Sequence, residues 1–124
     1  MRMNIPAMRP SSLQAYDREL ALNKVGGNSA IADELLELLL ADLPKQSSSL
    51  RTARNKLDAK SVREVAHRVH GAASCCGTPA LKHAAMELED AATAGDHRRL
   101  ASAHDTLQEE IDRLLREQGG INPE

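Results

Sequence analysis

Ala66-His67-Arg68-Val69-His70-Gly71-Ala72-Ala73-Ser74-Cys75-Cys76-Gly77 is the stretch that decides how this chain folds and where its chemistry sits. At ~100° per residue, Val62, Val65, Ala66, Val69, Ala72, Ala73 and Cys76 gather on one side of a helix, while Arg63, His67, His70, Gly71 and Ser74 fall on the other. The apolar side must pack against neighbours, which leaves the imidazole of His67 facing water. Gly71 lies one turn after His67, and a glycine inside a helix costs roughly 1 kcal/mol relative to alanine. Its placement is read as clearance for a partner that approaches the backbone.

Moving outward, the helical period recurs along most of the chain. Residues 1–12 hold Pro6, Pro10, Ser11 and Ser12 with little periodicity and read as a leader or linker. A short helix is expected from Leu13 to Val25, with Leu13, Tyr16, Leu20 and Leu22 inward and Gly26-Gly27 ending it. Asn28 then caps a long second helix with Ile31, Leu35, Leu38, Leu39, Leu43, Leu50, Ala53 and Leu57 as its inner stripe. Pro44 should bend or split that helix. The third helix runs from Ser61 to Cys76, and Gly77 stops it. Thr78 caps a fourth with Pro79 in its first turn and with Leu81, Ala84, Ala85, Leu88 and Ala92 inward. The Gly95-Asp96 pair breaks it. A fifth starts at His97, buries Leu100, Ala103, Leu107, Ile111, Leu114 and Leu115, and ends at Gly119-Gly120. No segment alternates with a period of two. The expected fold is all-α: an antiparallel up-down-up-down four-helix bundle with a short N-terminal helix, occupying residues 13–118 and followed by a tail at 119–124.

Composition narrows the function. The 124 residues suit one domain, and with no Phe or Trp and one Tyr the core must be aliphatic. Sixteen basic and eighteen acidic residues, interspersed for a net charge of −2, form no basic stripe for nucleic acid. No run approaches the ~20 apolar residues of a membrane span, and Met1 to Pro10 lacks the apolar centre of a secretory signal. The expected place is therefore the cytoplasm. Cys75 and Cys76 are adjacent, which strains a mutual disulfide, so they are read as reduced thiols with Cys76 in the core.

A free imidazole is largely neutral near pH 7, so one ring nitrogen keeps a lone pair that can attack phosphorus. Transfer then needs positioning and neutralisation of the equatorial oxygens. Arg63, Arg68, His70 and Lys82 are the basic groups available around His67, and no carboxylate cluster is shaped for Mg²⁺, so the metal is expected on the partner. There is no glycine-rich phosphate loop. The chain is not expected to phosphorylate itself, and no cofactor is assigned to it.

His67-Arg68-Val69-His70-Gly71, five residues and Gly77 resemble the histidine phosphotransfer (HPt) domain from Leu13 to Leu115. The phrases Leu20-Ala-Leu-Asn-Lys-Val-Gly-Gly-Asn28, Glu34-Leu-Leu-Glu-Leu-Leu-Leu40 and Gly77-Thr-Pro-Ala-Leu-Lys82, followed by Glu87-Leu-Glu89, look like the module at the C-terminal end of BarA/GacS-type hybrid sensor kinases. The resemblance implies that His67 takes a phosphoryl group from the aspartyl phosphate of one receiver domain and passes it to the aspartate of another, a response regulator. It implies that Gly71 gives the receiver room, and that the isolated domain is a monomer, whether free-standing or excised from the cytoplasmic end of an inner-membrane kinase. Many members carry lysine where this chain has His70, and glutamine where it has Glu89. Accordingly Glu89 is assigned no phosphate contact. By helical phase Lys82, Met86 and Glu89 share an outward side of the fourth helix and border the His67 surface, with Met86 and Ser74 as docking residues.

Two rival classes stand beside this. A helical adaptor would bind signalling partners with His67 incidental. A metal site would draw on His67, His70, Cys75, Cys76 and His83, but their directions spread around the helix, and the two histidines at i, i+3 give two ligands without two more. A di-iron bundle would need Glu-x-x-His pairs on two helices, and Glu64 to His67 is one.

Overall fold

The computed structural model describes residues 10–118. They form a 3-10 turn at Pro10–Ser12 and five helices: α1 (Arg18–Lys24), α2 (Ser29–Asn55), α3 (Ala59–Cys76), α4 (Pro79–Ala94) and α5 (His97–Gln118). No strand occurs among the described residues. The expected leader up to residue 9, the Gly119-Gly120 stop and the tail at 119–124 lie outside them.

The helices begin where side-chain oxygens take over free backbone N–H groups. Asp17 accepts from Leu20 N, Asn28 from Ile31 N, Asp58 from Ser61 N and Asp96 from Arg99 N. Asp58 therefore starts α3 at Ala59, two residues ahead of the expected start. Thr78 precedes α4 but makes no side-chain cap; buried completely, its hydroxyl donates instead to the carbonyl of Ala73 near the end of α3.

α2 packs on α3 and α5, and α4 lies against both α3 and α5. The core between them is aliphatic. Leu43, Leu50, Leu88 and Leu107 are fully buried, and each such side chain contributes about 1.5–3 kcal/mol relative to exposure.

Several sequence expectations are corrected. Residues 13–17 do not extend the first helix, because their backbone groups bond to the α3–α4 turn: Ala80 N donates to Gln14 O and Asp17 N to Gly77 O. The inner contacts of this region are Ala15 and Ala21, while Leu13, Tyr16, Leu20 and Leu22 are half-buried. Arg113 holds the same segment by donating to Leu13 O at 2.7 Å.

α2 continues unbroken through Pro44, so the helix is not split. Pro44 is exposed, and burial on both sides of it offsets a proline cost of about 3 kcal/mol. The buried face of α2 is Ala32, Leu36, Leu39, Leu43, Ser47, Leu50 and Ala53. Ile31 and Leu38, one position out of that phase, are exposed, and Leu57 lies beyond the helix end with φ 56°. On α3, Ala72 is exposed for the same reason. On α5, Ala103 and Leu115 are only partly buried, whereas His104 and Glu110 are buried, Glu110 paired with Arg113 at 3.0 Å.

Candidate functional site

Val62, Val65, Ala66, Val69, Ala73 and Cys76 are all buried, and this face of α3 turns His67 outward with its side chain 69% exposed. Gly77 then takes φ +70°, and a Cβ there would lie 2.7 Å from Ala21 Cβ, Ala21 N and Asp17 O. Only a glycine fits both the left-handed backbone and the close approach of α1. This turn sets α4 against α3, and Leu81, Ala84, Ala85 and Leu88 fix its rotation by facing inward.

The result is a three-residue arrangement. His67 Nδ1 lies 2.6 Å from Glu89 Oε2, and His70 Nδ1 lies 3.1 Å from Glu89 Oε1. The two imidazoles meet edge to face with centroids 6.2 Å apart. Partial burial pushes the Glu89 carboxyl up, but the hydrogen bonds from His67 and His70 outweigh it and hold the group below its ordinary value. Glu89 is therefore an ionised acceptor. Both Nδ1 atoms must carry the hydrogens, and in a neutral His67 the free lone pair resides on Nε2.

The other expected residues divide by location. Gly71 is exposed, and a Cβ built on it would meet nothing within 4 Å, so nothing inside the chain requires a glycine there. Ser74 donates to His70 O and lines a groove with Lys82, Met86 and Leu20. Arg68 is exposed and lines a different groove, toward Ser48, Thr52 and Glu64 on the α2 side. Arg63 is partly buried. His70 is turned toward Glu89.

Sequence reasoning placed Glu89 on the right side of α4 but missed its bonds to both histidines. The signal was its place at the edge of the inward stripe, one turn after Ala85; the meeting itself, across 22 residues, required the Gly77 turn. Glu89 adds one ligand to the histidine pair where two more were wanted, since ligand atoms of His67, His70 and Glu89 all lie within 4.8 Å of one another. Cys75, Cys76 and His83 stand outside this group. Cys76 is buried, its thiol is pushed up to about 11 by that burial, and its Sγ donates to Leu35 O.

The class is given by comparison with known proteins: residues 34–117 match the Hpt domain. The chain belongs to the Hpt domain family, the phosphotransfer modules of kinase systems. It is 33% identical over 105 residues to the sensor histidine kinase GacS of Pseudomonas protegens, covering 85% of this chain and 11% of that protein. It is 36% identical over 73 residues to the sensor protein GacS of Pseudomonas syringae pv. syringae, covering 59% of this chain and 8% of that one. The chain thus spans a small part of the curated relatives it matches. The HPT domain of a sensor hybrid histidine kinase from Shewanella shares the fold, with TM-score 0.69 over 88% of this chain and 97% of that one at 22% identity. No helix among the described residues is long and apolar enough to cross a membrane.

Proposed function

We propose that this domain is the phosphocarrier of a multistep phosphorelay. It accepts a phosphoryl group on His67 from the aspartyl phosphate of a hybrid kinase's receiver domain and delivers it to the receiver of a response regulator. The observation that carries this reading is the 2.6 Å bond between His67 Nδ1 and Glu89, in a ring exposed to visitors.

Glu89 holds the tautomer in which Nε2 keeps its lone pair. Nε2 attacks phosphorus in line; the N–P bond forms as the P–O bond to the donor aspartate breaks, and that carboxylate leaves. Nδ1–H, bonded to Glu89, disperses the charge that develops on the ring. The reverse displacement hands the group to the second receiver's aspartate, and both directions are open because phosphoramidate and acyl phosphate are both high-energy species. The receivers supply Mg²⁺, and the chain uses no nucleotide site of its own. Arg68, His70 and Lys82, with Arg63, are the groups proposed to neutralise the phosphoryl oxygens, while Gly71, Ser74 and Met86 receive the docking surface. Two-residue connections at 77–78 and 95–96 support the antiparallel four-helix arrangement for α2 to α5. A domain spanning 13–118, monomeric when isolated and working in the cytoplasm, completes the reading.

The test is incubation with a receiver carrying a labelled aspartyl phosphate. Label should pass to the wild-type chain in alkali-stable form and not to His67→Gln. Equal labelling of the variant, or none of either, returns the domain to the adaptor class.

A further inference from the structure

We propose that His67, His70 and Glu89 also form a binding site for a borderline divalent cation of the Zn²⁺ type, and that this cation competes with the phosphoryl group for His67. The coordination stands independently of the phosphocarrier reading; only the competition rests on it.

Two imidazole nitrogens and one carboxylate oxygen are the donor set that such cations favour, whereas Mg²⁺ seeks oxygen ligands alone. The two histidines, at i and i+3, are neighbours on one helix surface. The third donor comes from α4, and all three atoms already lie within 4.8 Å of one another. Bonds of about 2.0–2.1 Å in a tetrahedral shell place donors roughly 3.4 Å apart. The contacts at 2.6 and 3.1 Å are made to the two different oxygens of Glu89. With one donor atom from each residue the spacings reach at most 4.8 Å, so gathering them to roughly 3.4 Å draws no pair together by more than about 1.4 Å. His67 is 69% exposed and has room to turn by that amount. Water completes the fourth position.

Coordination changes the chemistry of the ring. A metal on Nδ1 requires that nitrogen's lone pair, so in each neutral imidazole the proton moves from Nδ1 to Nε2. No electron is transferred, and no net proton is released. In His67 the nitrogen that would attack phosphorus now carries hydrogen, so the cation and the phosphoryl group exclude each other on one ring.

Equilibrium dialysis of the full chain against Zn²⁺, with no receiver present, tests the site. One Zn²⁺ per chain is expected, with affinity about tenfold or more lower in each of His67→Gln, His70→Gln and Glu89→Leu. Circular dichroism verifies that the variants are folded. Cys75→Ser should bind as the wild type does, and Mg²⁺ should not be retained. Absence of Zn²⁺ on the wild type, binding indifferent to the three substitutions, or loss in Cys75→Ser overturns the site. In the second arm, label uptake from the phosphorylated receiver should fall when Zn²⁺ is added and return with chelator. His70→Gln, compared with itself with and without Zn²⁺, should lose that sensitivity. Zn²⁺ bound in dialysis but without effect on uptake overturns the competition. Failure of uptake in zinc-free buffer overturns the phosphocarrier reading and leaves the dialysis result to judge the site.

Discussion

His67 Nδ1 stands 2.6 Å from Glu89 Oε2, joining the middle of α3 to the following helix across 22 residues. The bond constrains the ring in two ways, because a carboxylate held ionised accepts only from N–H and accepts along its lone pairs. It selects which nitrogen faces outward free of hydrogen, and it limits how far the exposed imidazole swings.

Removing that acceptor should slow phosphoryl uptake without unfolding the domain. Glu89→Leu is expected to lower the rate on the order of tenfold to a hundredfold, by analogy with other partners that orient histidines. Glu89→Gln, whose amide oxygen still accepts from Nδ1–H, should recover much of it. Rates from a phosphorylated receiver across a range of pH check this; a Gln variant as slow as Leu would show that the carboxylate acts by charge rather than by fixing the tautomer.

Gly71 separates stability from activity. Since a Cβ at this helical position meets nothing within 4 Å, Gly71→Ala should stabilise the domain by about 0.4–1 kcal/mol. Gly71→Gln, projecting into the proposed docking space, should leave the fold intact and weaken receiver association about tenfold, a loss of about 1.4 kcal/mol. Thermal melts and titration with a receiver measure the two effects, and unchanged association by the Gln variant would remove the clearance argument.

Gly77 behaves oppositely. Gly77→Ala forces a Cβ to within 2.7 Å of Ala21 and Asp17 at φ +70°, so a loss of about 1–3 kcal/mol is expected. Urea denaturation reads it. An unshifted midpoint would mean that α1 moves aside freely, in conflict with the bond from Asp17 N to Gly77 O.

Acid should destabilise the domain partly through His104. Burial pushes its pKa down; a hydrogen bond with Asp105 opposes this, and the Arg54 guanidinium, 3.0 Å from Nδ1, adds to the lowering together with Arg51. The folded state thus binds the proton less readily than the unfolded chain. The resulting stability is fully present above the ordinary imidazole value of ~6.5 and is lost as pH falls through the depressed folded value. Denaturation midpoints measured from neutral to mildly acid pH should fall for the wild type and fall less for His104→Gln. Parallel slopes would refute this assignment. Glu89, Asp58 and Asp105, all held below their ordinary values, act in the lower carboxylate range and are separable by pH.

The helices were legible because their causes are local. Asn28 and Asp58 cap with side chains three residues from the N–H groups they satisfy, and the α4 stripe of Leu81, Ala84, Ala85, Leu88 and Ala92 is wholly buried as its period requires. Errors arose where distant contacts outweighed local pattern. Residues 13–17 have apolar spacing suited to a helix, yet their backbone is spent on the α3–α4 turn. Ile31 and Leu38 are as apolar as Leu39, and only the neighbouring helices decide which of them is covered.

From the sequence by itself came the all-helical class, the outward phase of His67 and the placing of Gly71 beside it, since a helix's periodicity is a property of successive residues. The tertiary structure decided that Glu89 is the partner of His67 and His70, that Gly77 must admit α1, and that His104 is buried. Those facts depend on how α3, α4 and α5 rotate and draw together, and side chains that meet only after packing leave no spacing in the chain from which their meeting can be read.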